Sequence, residues 1–322
     1  MERFKNNISA LGKQNRYYTM KVRNLKFSLL FLLVSVVASF VFEGCKSGEN
    51  EDADKVDATV AKVDSNKANI LKINGEIISI PSPIQTAILI KKVSSTYNKE
   101  ILNKTDKLTS YATNFSKALN LGIYGADLGY ITMYEQPQDA ITYLNSVKKL
   151  ADELGVSGAF DPQTVERFQK NIGTKDSLLV LVSEAYRASD AYLKNNERNN
   201  LSGLILTGGW IETLYFATNI MKTKNSEDLK RRIGEQKSSL NSLIKLLTPY
   251  YSQAEYTPLI DKLTDLATVF EGVEFKYTYE KPVIDVPNKT TNINSKTEVK
   301  ISPEQVDQIS QKIQTIRNLI VG

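Results

Sequence analysis

Residues 201–222, LSGLILTGGWIETLYFATNIMK, form the most apolar segment of the chain beyond residue 45. Only Glu212 and Lys222 carry a charge within this segment, and it contains no proline. A continuous apolar segment of this length, bounded by polar residues on both sides, predicts a helix of the protein core. The sequence on either side continues the helical pattern.

Apolar residues recur at spacings of three and four through most of the chain from residue 82 onward. The clearest helix starts are Ser82-Pro83, Asp161-Pro162 and Ser302-Pro303, where a capping side chain precedes a proline. The predicted helices occupy residues 84–93, 105–134 (continuous or restarting at 122), 138–154, 161–173, 176–195, 201–222, 226–247, 259–270 and 302–319.

Short β-rich stretches lie toward the two ends of this helical region. They are Glu76–Ile80, Val273–Tyr279 and Val299–Ile301. We therefore predict an all-α fold, a multi-helix bundle of about seven to nine helices with minor short β pieces near the ends. Residues 76–322 are expected to form a single helical domain.

Two glycine-aromatic motifs echo each other within the helices. Gly125–Tyr130 reads GADLGY, and Gly208–Tyr215 reads GGWIETLY. Each motif places small residues before an acid and a tyrosine, although the acid is offset by one residue. The echo predicts an alternative organisation, in which two related helical-hairpin halves bury their faces against each other.

The same motifs contain the candidate ligand-binding residues, which are Tyr124, Asp127, Tyr130, Trp210, Glu212 and Tyr215. Glycine inside a helix costs about 1 kcal/mol relative to alanine, so Gly122, Gly125 and Gly129 need a structural reason. One hypothesis is the close approach of a second helix backbone. The other is a small-ligand pocket with walls of Tyr124, Tyr130 and Tyr134.

The acids of the two motifs have several expected roles. Asp127 would be the polar contact of the pocket, and Glu212 is an expected hydrogen-bond partner for Trp210. If Asp127 and Glu212 face each other, they form a carboxylate pair. Such a pair is suited to cation binding, to acid–base chemistry or to structural pairing with tyrosine or arginine.

Cys45 is the only cysteine of the 322 residues, and it follows the short apolar segment Phe27–Phe42. Basic residues precede that segment, as in a secretory signal peptide. A cysteine at the end of such a segment predicts a lipoprotein signal at residues 1–44, with lipid joined to Cys45. Residues 45–75 are expected to form a polar, acidic tether.

The signal has two open points. Met20 is an alternative start, because residues 1–19 make the basic region unusually long. An uncleaved N-terminal anchor is the competing interpretation of the apolar segment, although the segment is shorter than the roughly 20 residues that a transmembrane helix needs.

Composition excludes several classes of function. The chain has no histidine, so Ser-His-Asp sites, Cys-His sites and histidine-ligated zinc are ruled out. No EF-hand loop, phosphate-binding loop or dinucleotide fingerprint is present. Residues 1–44 hold seven of the 41 basic and two of the 36 acidic residues, leaving 34 of each beyond them. A neutral body predicts no nucleic-acid partner, and we expect no cofactor and no metal site.

The imperfect lipobox around Phe42 and Glu43, its acidic follow-on and the GADLGY and GGWIETLY motifs resemble an uncharacterised family of Bacteroidota (Bacteroidetes) lipoproteins. The resemblance implies attachment to the outer membrane through a lipid on Cys45. Acidic residues soon after the cysteine, such as Glu49 and Glu51, favour the cell surface over the periplasmic face. No catalytic residue is implied.

Three functions remain open. The first is a non-catalytic binding or scaffold lipoprotein, which the absence of catalytic chemistry favours. The second is a carboxylate-based enzyme on glycan or cell-wall material, with Asp127 and Glu212 as its candidates. The third is an accessory subunit of an outer-membrane uptake or envelope complex, with another envelope protein as partner.

Overall fold

The computed structural model describes residues 69–73, 76–80, 83–157 and 198–322, with a few single positions between 158 and 197. Several predictions lie outside the described residues. These are the signal peptide at 1–44 with the alternative start Met20, the lipidation site Cys45, the tether as far as residue 68, and the helices at 161–173 and 176–195.

The described residues form eight α-helices with short antiparallel strand pairs. The helices are α1 (Pro83–Val93), α2 (Asn114–Met133), α3 (Pro137–Glu153), α4 (Asn199–Thr223), α5 (Glu227–Gly234), α6 (Gln236–Leu247), α7 (Tyr256–Glu271) and α8 (Pro303–Val321). The strands are β1 (Asn69–Ile73), β2 (Glu76–Ile80), β3 (Glu274–Thr278), β4 (Val283–Asp285), β5 (Thr290–Asn292) and β6 (Lys296–Lys300). The predicted all-α bundle with minor β pieces is confirmed.

Helices α2 and α4 form the centre of the bundle. Every residue from Ala118 to Met133 of α2 is buried, and nearly every residue from Leu201 to Ile220 of α4 is buried. A helix that is covered on all sides needs apolar residues on all sides, which explains why these two segments lack a polar face. The other helices supply that cover: α3 packs on α2, and α8 packs on both α4 and α7.

Two glycines allow the backbones of α2 and α4 to touch. A methyl group on Gly122 would overlap the carbonyl of Ile205 and lie 2.7 Å from the nitrogen of Gly209. A methyl group on Gly208 would overlap the carbonyl of Leu119. The close-approach hypothesis is therefore confirmed for Gly122, since any side chain there would push the helices apart. It is wrong for Gly129, where a methyl group would meet no atom within 4 Å.

The contacts between α2 and α4 also establish the direction of the two helices. Gly122 meets α4 at Ile205 and Gly209, whereas Tyr130 lies farther along both helices, with its ring 4.9 Å from that of Phe216. A later residue of α2 thus contacts a later residue of α4, so the two helices run parallel. The glycine-aromatic motifs consequently lie side by side, while a duplication of two hairpin halves remains a prediction.

The largest local difference from prediction is the start of α2. Residues 105–121 were predicted as helical throughout, but α2 begins at Asn114, after a 3-10 helix at Thr105–Ser110. The Thr113 hydroxyl accepts from the backbone N–H of Ser116, and the Ser116 hydroxyl accepts from that of Thr113. This capping box satisfies free backbone donors at the helix start and sets the boundary there.

The β pieces extend further than predicted. Strand β1 lies inside the predicted tether and pairs with β2, so the ordered hairpin begins before residue 76. Residues 282–295, where the sequence predicts neither helix nor strand, contain β4 and β5, which pair with each other. The final helix begins after Ser302 as predicted, with the Ser302 hydroxyl accepting from the N–H of Gln305.

Candidate functional site

Arg317 of α8 and Glu212 of α4 form a buried ion pair in the centre of the bundle. The guanidinium Nε donates to Oε2 of Glu212 at 2.6 Å, and Nη2 donates to Oε1 at 2.8 Å. Glu212 is fully buried, and Arg317 is 8% exposed. Two parallel charge-assisted hydrogen bonds fix both the distance and the orientation of the partners.

Two further contacts hold the guanidinium in place. Its Nη2 also donates to the backbone carbonyl of Ile101 at 3.2 Å. Its central carbon lies 4.3 Å from the centre of the Tyr215 ring, a distance at which a cation is attracted to an aromatic face. Tyr215 follows Glu212 by three residues on α4, so the two side chains lie on the same face of the helix.

Asp127 of α2 is the third member of this acidic-basic cluster. It is fully buried, and it lies close enough to Glu212 for each carboxyl group to affect the pKa of the other. Its Oδ2 accepts a long hydrogen bond of 3.4 Å from the backbone N–H of Asn103. Its Oδ1 has no donor among the described residues. A protonated Asp127 resolves this, because the carboxyl O–H is then the donor toward Glu212.

The electrostatics agree with a protonated Asp127. Burial raises the pKa of Asp127 well above its ordinary value, and the negative charge of Glu212 raises it further, against the opposing effect of Arg317. Burial also raises the pKa of Glu212, which Arg317 opposes. Two adjacent carboxyl groups away from water share one proton, and one guanidinium balances the remaining charge. The cluster is therefore electrically neutral.

Four buried tyrosine hydroxyls fasten the irregular segment 94–104 to α2 and α3. A buried backbone group without a partner is costly, so a segment with few helical hydrogen bonds of its own needs such side-chain partners. The hydrogen bonds are Tyr134 Oη to Ser94 O at 2.7 Å, Asn98 N to Tyr130 Oη at 3.1 Å, Tyr143 Oη to Asn103 O at 2.8 Å and Tyr124 Oη to Lys104 O at 2.7 Å.

These positions agree better with packing than with a pocket that has tyrosine walls, and the pocket remains a prediction. Tyr124 and Tyr130 are fully buried and Tyr134 is nearly so, and their hydroxyl groups bind the backbone of segment 94–104. They therefore border that segment and not an opening to solvent. The sequence identified the aromatic residues correctly as a cluster, but it contained no sign of what covers them.

Trp210 is likewise buried, and its partner differs from the predicted one. The indole N–H donates to Oε1 of Gln236 at 3.0 Å. Glu212, the expected partner, instead accepts hydrogen bonds from Arg317 with both of its oxygens. Trp210 and Glu212 are two residues apart, so they point to different sides of α4. The tryptophan therefore joins α4 to α6, and the glutamate joins α4 to α8.

Three of the six candidate residues lie together in the structure. The other three, Tyr124, Tyr130 and Trp210, make their hydrogen bonds with other parts of the chain. Asp127, Glu212 and Tyr215 belong to one cluster with Arg317, as the carboxylate-pair hypothesis anticipated for the two acids. A ligand-binding role for the six residues remains a prediction, and their burial agrees better with packing. Among the described residues, no group of three or more acidic, histidine or cysteine side chains is placed to hold a metal ion.

Sequence reasoning missed Arg317 and Asn103. A signal for Arg317 was present, because it continues the apolar stripe that Ile309, Ile313 and Ile320 form on the last helix. An arginine at such a position needs a buried acid as its partner. Asn103 lies in an irregular segment and carries no comparable signal.

No protein-family model, curated protein or solved structure shows significant similarity to this chain. Of the helices in the described part of the chain, none is both long and apolar enough to cross a membrane.

Proposed function

We propose that this protein is a lipid-anchored envelope protein with a non-catalytic binding or scaffold role. The observation that supports the non-catalytic role is the complete burial of Asp127 and Glu212. A carboxylate enzyme needs one acid and one base in contact with its substrate. Here Glu212 is engaged by Arg317, Asp127 is engaged by Glu212, and neither carboxyl group reaches solvent.

The cluster has a structural use that accounts for its charged residues. It connects α2, α4 and α8 with segment 94–104 at one point of the core. Charged hydrogen bonds are directional, so they favour one arrangement of helices that apolar contacts alone would leave less defined. The binding surface of the proposed scaffold is consequently on the outside of the bundle.

The attachment to the outer membrane, with surface display favoured, is proposed from the residues around Cys45. Two or more acyl chains give stable anchoring without a basic patch. Radiolabelled palmitate tests this attachment directly. The wild-type protein should incorporate label and a Cys45→Ser variant should not, whereas equal labelling or none would refute it.

The non-catalytic role is tested with Asp127→Asn, a substitution that preserves the shape of the buried carboxyl group. We expect neither the wild type nor this variant to release sugars or peptides from purified glycans and peptidoglycan. Both should capture the same envelope proteins in mild detergent. The enzyme alternative would be established instead if the wild type released sugars or peptides and Asp127→Asn, with an equal melting temperature, did not.

A further inference from the structure

Residues 274–300 form a long β-arm that begins and ends at the helical bundle. At its base, β3 pairs with β6, from Glu274 opposite Lys300 to Thr278 opposite Lys296. Farther out, β4 pairs with β5, from Val283 opposite Asn292 to Asp285 opposite Thr290. A turn at residues 286–289 closes the arm. The two strand pairs are nested, so the arm is one extended antiparallel ribbon.

The arm carries most of the exposed apolar surface of the described chain. Seven of the eleven exposed large apolar side chains belong to it, so the exposure is concentrated and not scattered. The exposed fraction rises from 41% for Phe275 at the base to 75% for Val286 at the apex. The seven residues are Phe275, Tyr277, Tyr279, Val283, Ile284, Val286 and Ile293.

The two faces of the arm differ in charge near its base. On one face, Glu274 lies opposite Lys300 and Lys276 lies opposite Glu298, so opposite charges are paired across the strands. The other face is uncharged: Phe275 lies opposite Val299, and Tyr277 lies opposite Thr297. Such a division is typical of a ribbon with one face toward water and one toward an apolar partner.

The bundle covers only the first part of the uncharged face. The side chain of Val299 packs against Gly234, where a methyl group would lie 2.6 Å from it. The ammonium group of Lys237 lies 6.0 Å from the centre of the Phe275 ring. Beyond this point Tyr277 is 64% exposed, and nearly every residue of β4 and β5 is exposed.

The size of the exposed surface fits a protein interface. Val283 and Ile284 are neighbours on β4 and point to opposite faces, so one face of the ribbon carries at most six of these side chains. Six side chains of roughly 150–200 Å², each about two fifths to three quarters exposed, present on the order of 600–700 Å². A stable protein–protein interface buries about 800 Å² on each partner. A two-stranded ribbon without a further layer is only marginally stable in water, so the outer half of the arm gains stability from such a partner.

The apex favours a protein over a lipid surface. Asp285 accepts hydrogen bonds from the backbone and side chain of Asn288, at 3.1 and 2.8 Å. These hydrogen bonds lower the pKa of Asp285, so the side chain is charged at neutral pH. An ionised carboxylate at the leading end of the arm opposes insertion among acyl chains.

We propose that the uncharged face of the arm docks on the arm of a second copy of this chain. An uncharged, apolar face is self-complementary, because two copies meet across a twofold axis without placing like charges together. The charged face then remains in water on both copies. This inference goes beyond the proposed scaffold role and does not depend on the lipid.

The mass of the full chain tests the proposal, measured by sedimentation equilibrium in a density-matched detergent at micromolar protein. The wild type is expected to have twice the mass of one chain. An Ile284→Ser/Ile293→Ser double variant removes two apolar side chains per arm and should weaken dimerisation about 100-fold or more. Leu319→Ser is the matched control, since Leu319 is 49% exposed on α8, away from the arm, and this variant should stay dimeric.

Two results would overturn the proposal. One is a monomeric wild type, and the other is a double variant that dimerises as tightly as the wild type while retaining the wild-type circular dichroism spectrum. Flotation with phospholipid vesicles tests whether the arm binds a membrane instead of a second copy. The sample is the Cys45→Ser chain, which carries no lipid of its own. If this chain is monomeric and floats, and no longer floats when Ile284 and Ile293 are replaced, the arm contacts a membrane. Failure of palmitate labelling would leave the predicted dimer unaffected.

Discussion

Replacing Asp127 with asparagine is expected to change the pH dependence of stability while preserving the fold. Asparagine has nearly the shape of a protonated carboxyl group and keeps a donor toward Glu212, but it does not titrate. In the wild type, burial and the charge of Glu212 raise the pKa of Asp127 well above its ordinary value. The folded chain therefore retains a proton that the unfolded chain releases above about pH 4.

The sign and size of the effect follow from this difference. A raised folded-state pKa gives stability that is fully present below the unfolded pKa and is lost as pH rises toward the folded pKa. One proton corresponds to at most about 1.4 kcal/mol per pH unit. The wild type should thus lose up to this much stability, relative to Asp127→Asn, for each pH unit above about 4. Below that pH, the two proteins should differ by about 1 kcal/mol or less.

Urea unfolding between pH 4 and pH 8 measures this difference, with the fluorescence of Trp210 as the signal. Trp210 is the only tryptophan, it is 4% exposed, and it lies two residues before Glu212. A stability difference that stays constant with pH would refute the shared proton. So would a variant that is 3–5 kcal/mol less stable at pH 7, because this would mean that the fold needs the charge of Asp127.

Asp139 provides the matched control. Partial burial acts to raise its pKa, but hydrogen bonds from Lys99 and Tyr97 outweigh burial and lower the pKa of Asp139. A lowered pKa gives stability that is lost as pH falls. The difference between the wild type and Asp139→Asn should therefore have the opposite dependence on pH.

Three further sets of substitutions test other parts of the core. Gly122→Ala should destabilise the protein by about 3 kcal/mol, because the added methyl group overlaps the backbone of α4. Gly129→Ala is the control: its methyl group meets no neighbouring atom within 4 Å, so this variant should be more stable than the wild type by up to about 1 kcal/mol. Equal melting temperatures of the two variants would contradict the packing of the two helices. Arg317→Met should lower the free energy of unfolding in urea by about 3–5 kcal/mol, because it leaves the buried charge of Glu212 without a partner. Adding Glu212→Gln removes that charge and should restore part of the lost stability. A double variant no more stable than Arg317→Met would contradict the ion pair's role. Tyr124→Phe should cost about 1 kcal/mol and speed amide hydrogen exchange in segment 94–104, and unchanged exchange would exclude the anchoring role.

The sequence alone was sufficient for the helical class and for several helix ends. Ser302 and Pro303 predicted the start of α8, and the Ser302 cap is present in the structure. Such signals are reliable because capping involves atoms within one helical turn, so the residues that determine it are neighbours in the chain. The start of α2 is also determined locally, because Thr113 and Ser116 form a capping box within one helical turn.

Charge and burial at the centre depended on the tertiary structure. The sequence placed acids in the two motifs, but Arg317 lies 105 positions from Glu212 and reaches it only because α8 packs on α4. Likewise, Gly122 and Gly208 bring Asp127 beside Glu212 by letting two parallel helices touch. The protonation of a carboxyl group depends on the water removed and the charges brought near it. Both come from distant helices, so no local pattern in the chain encodes them.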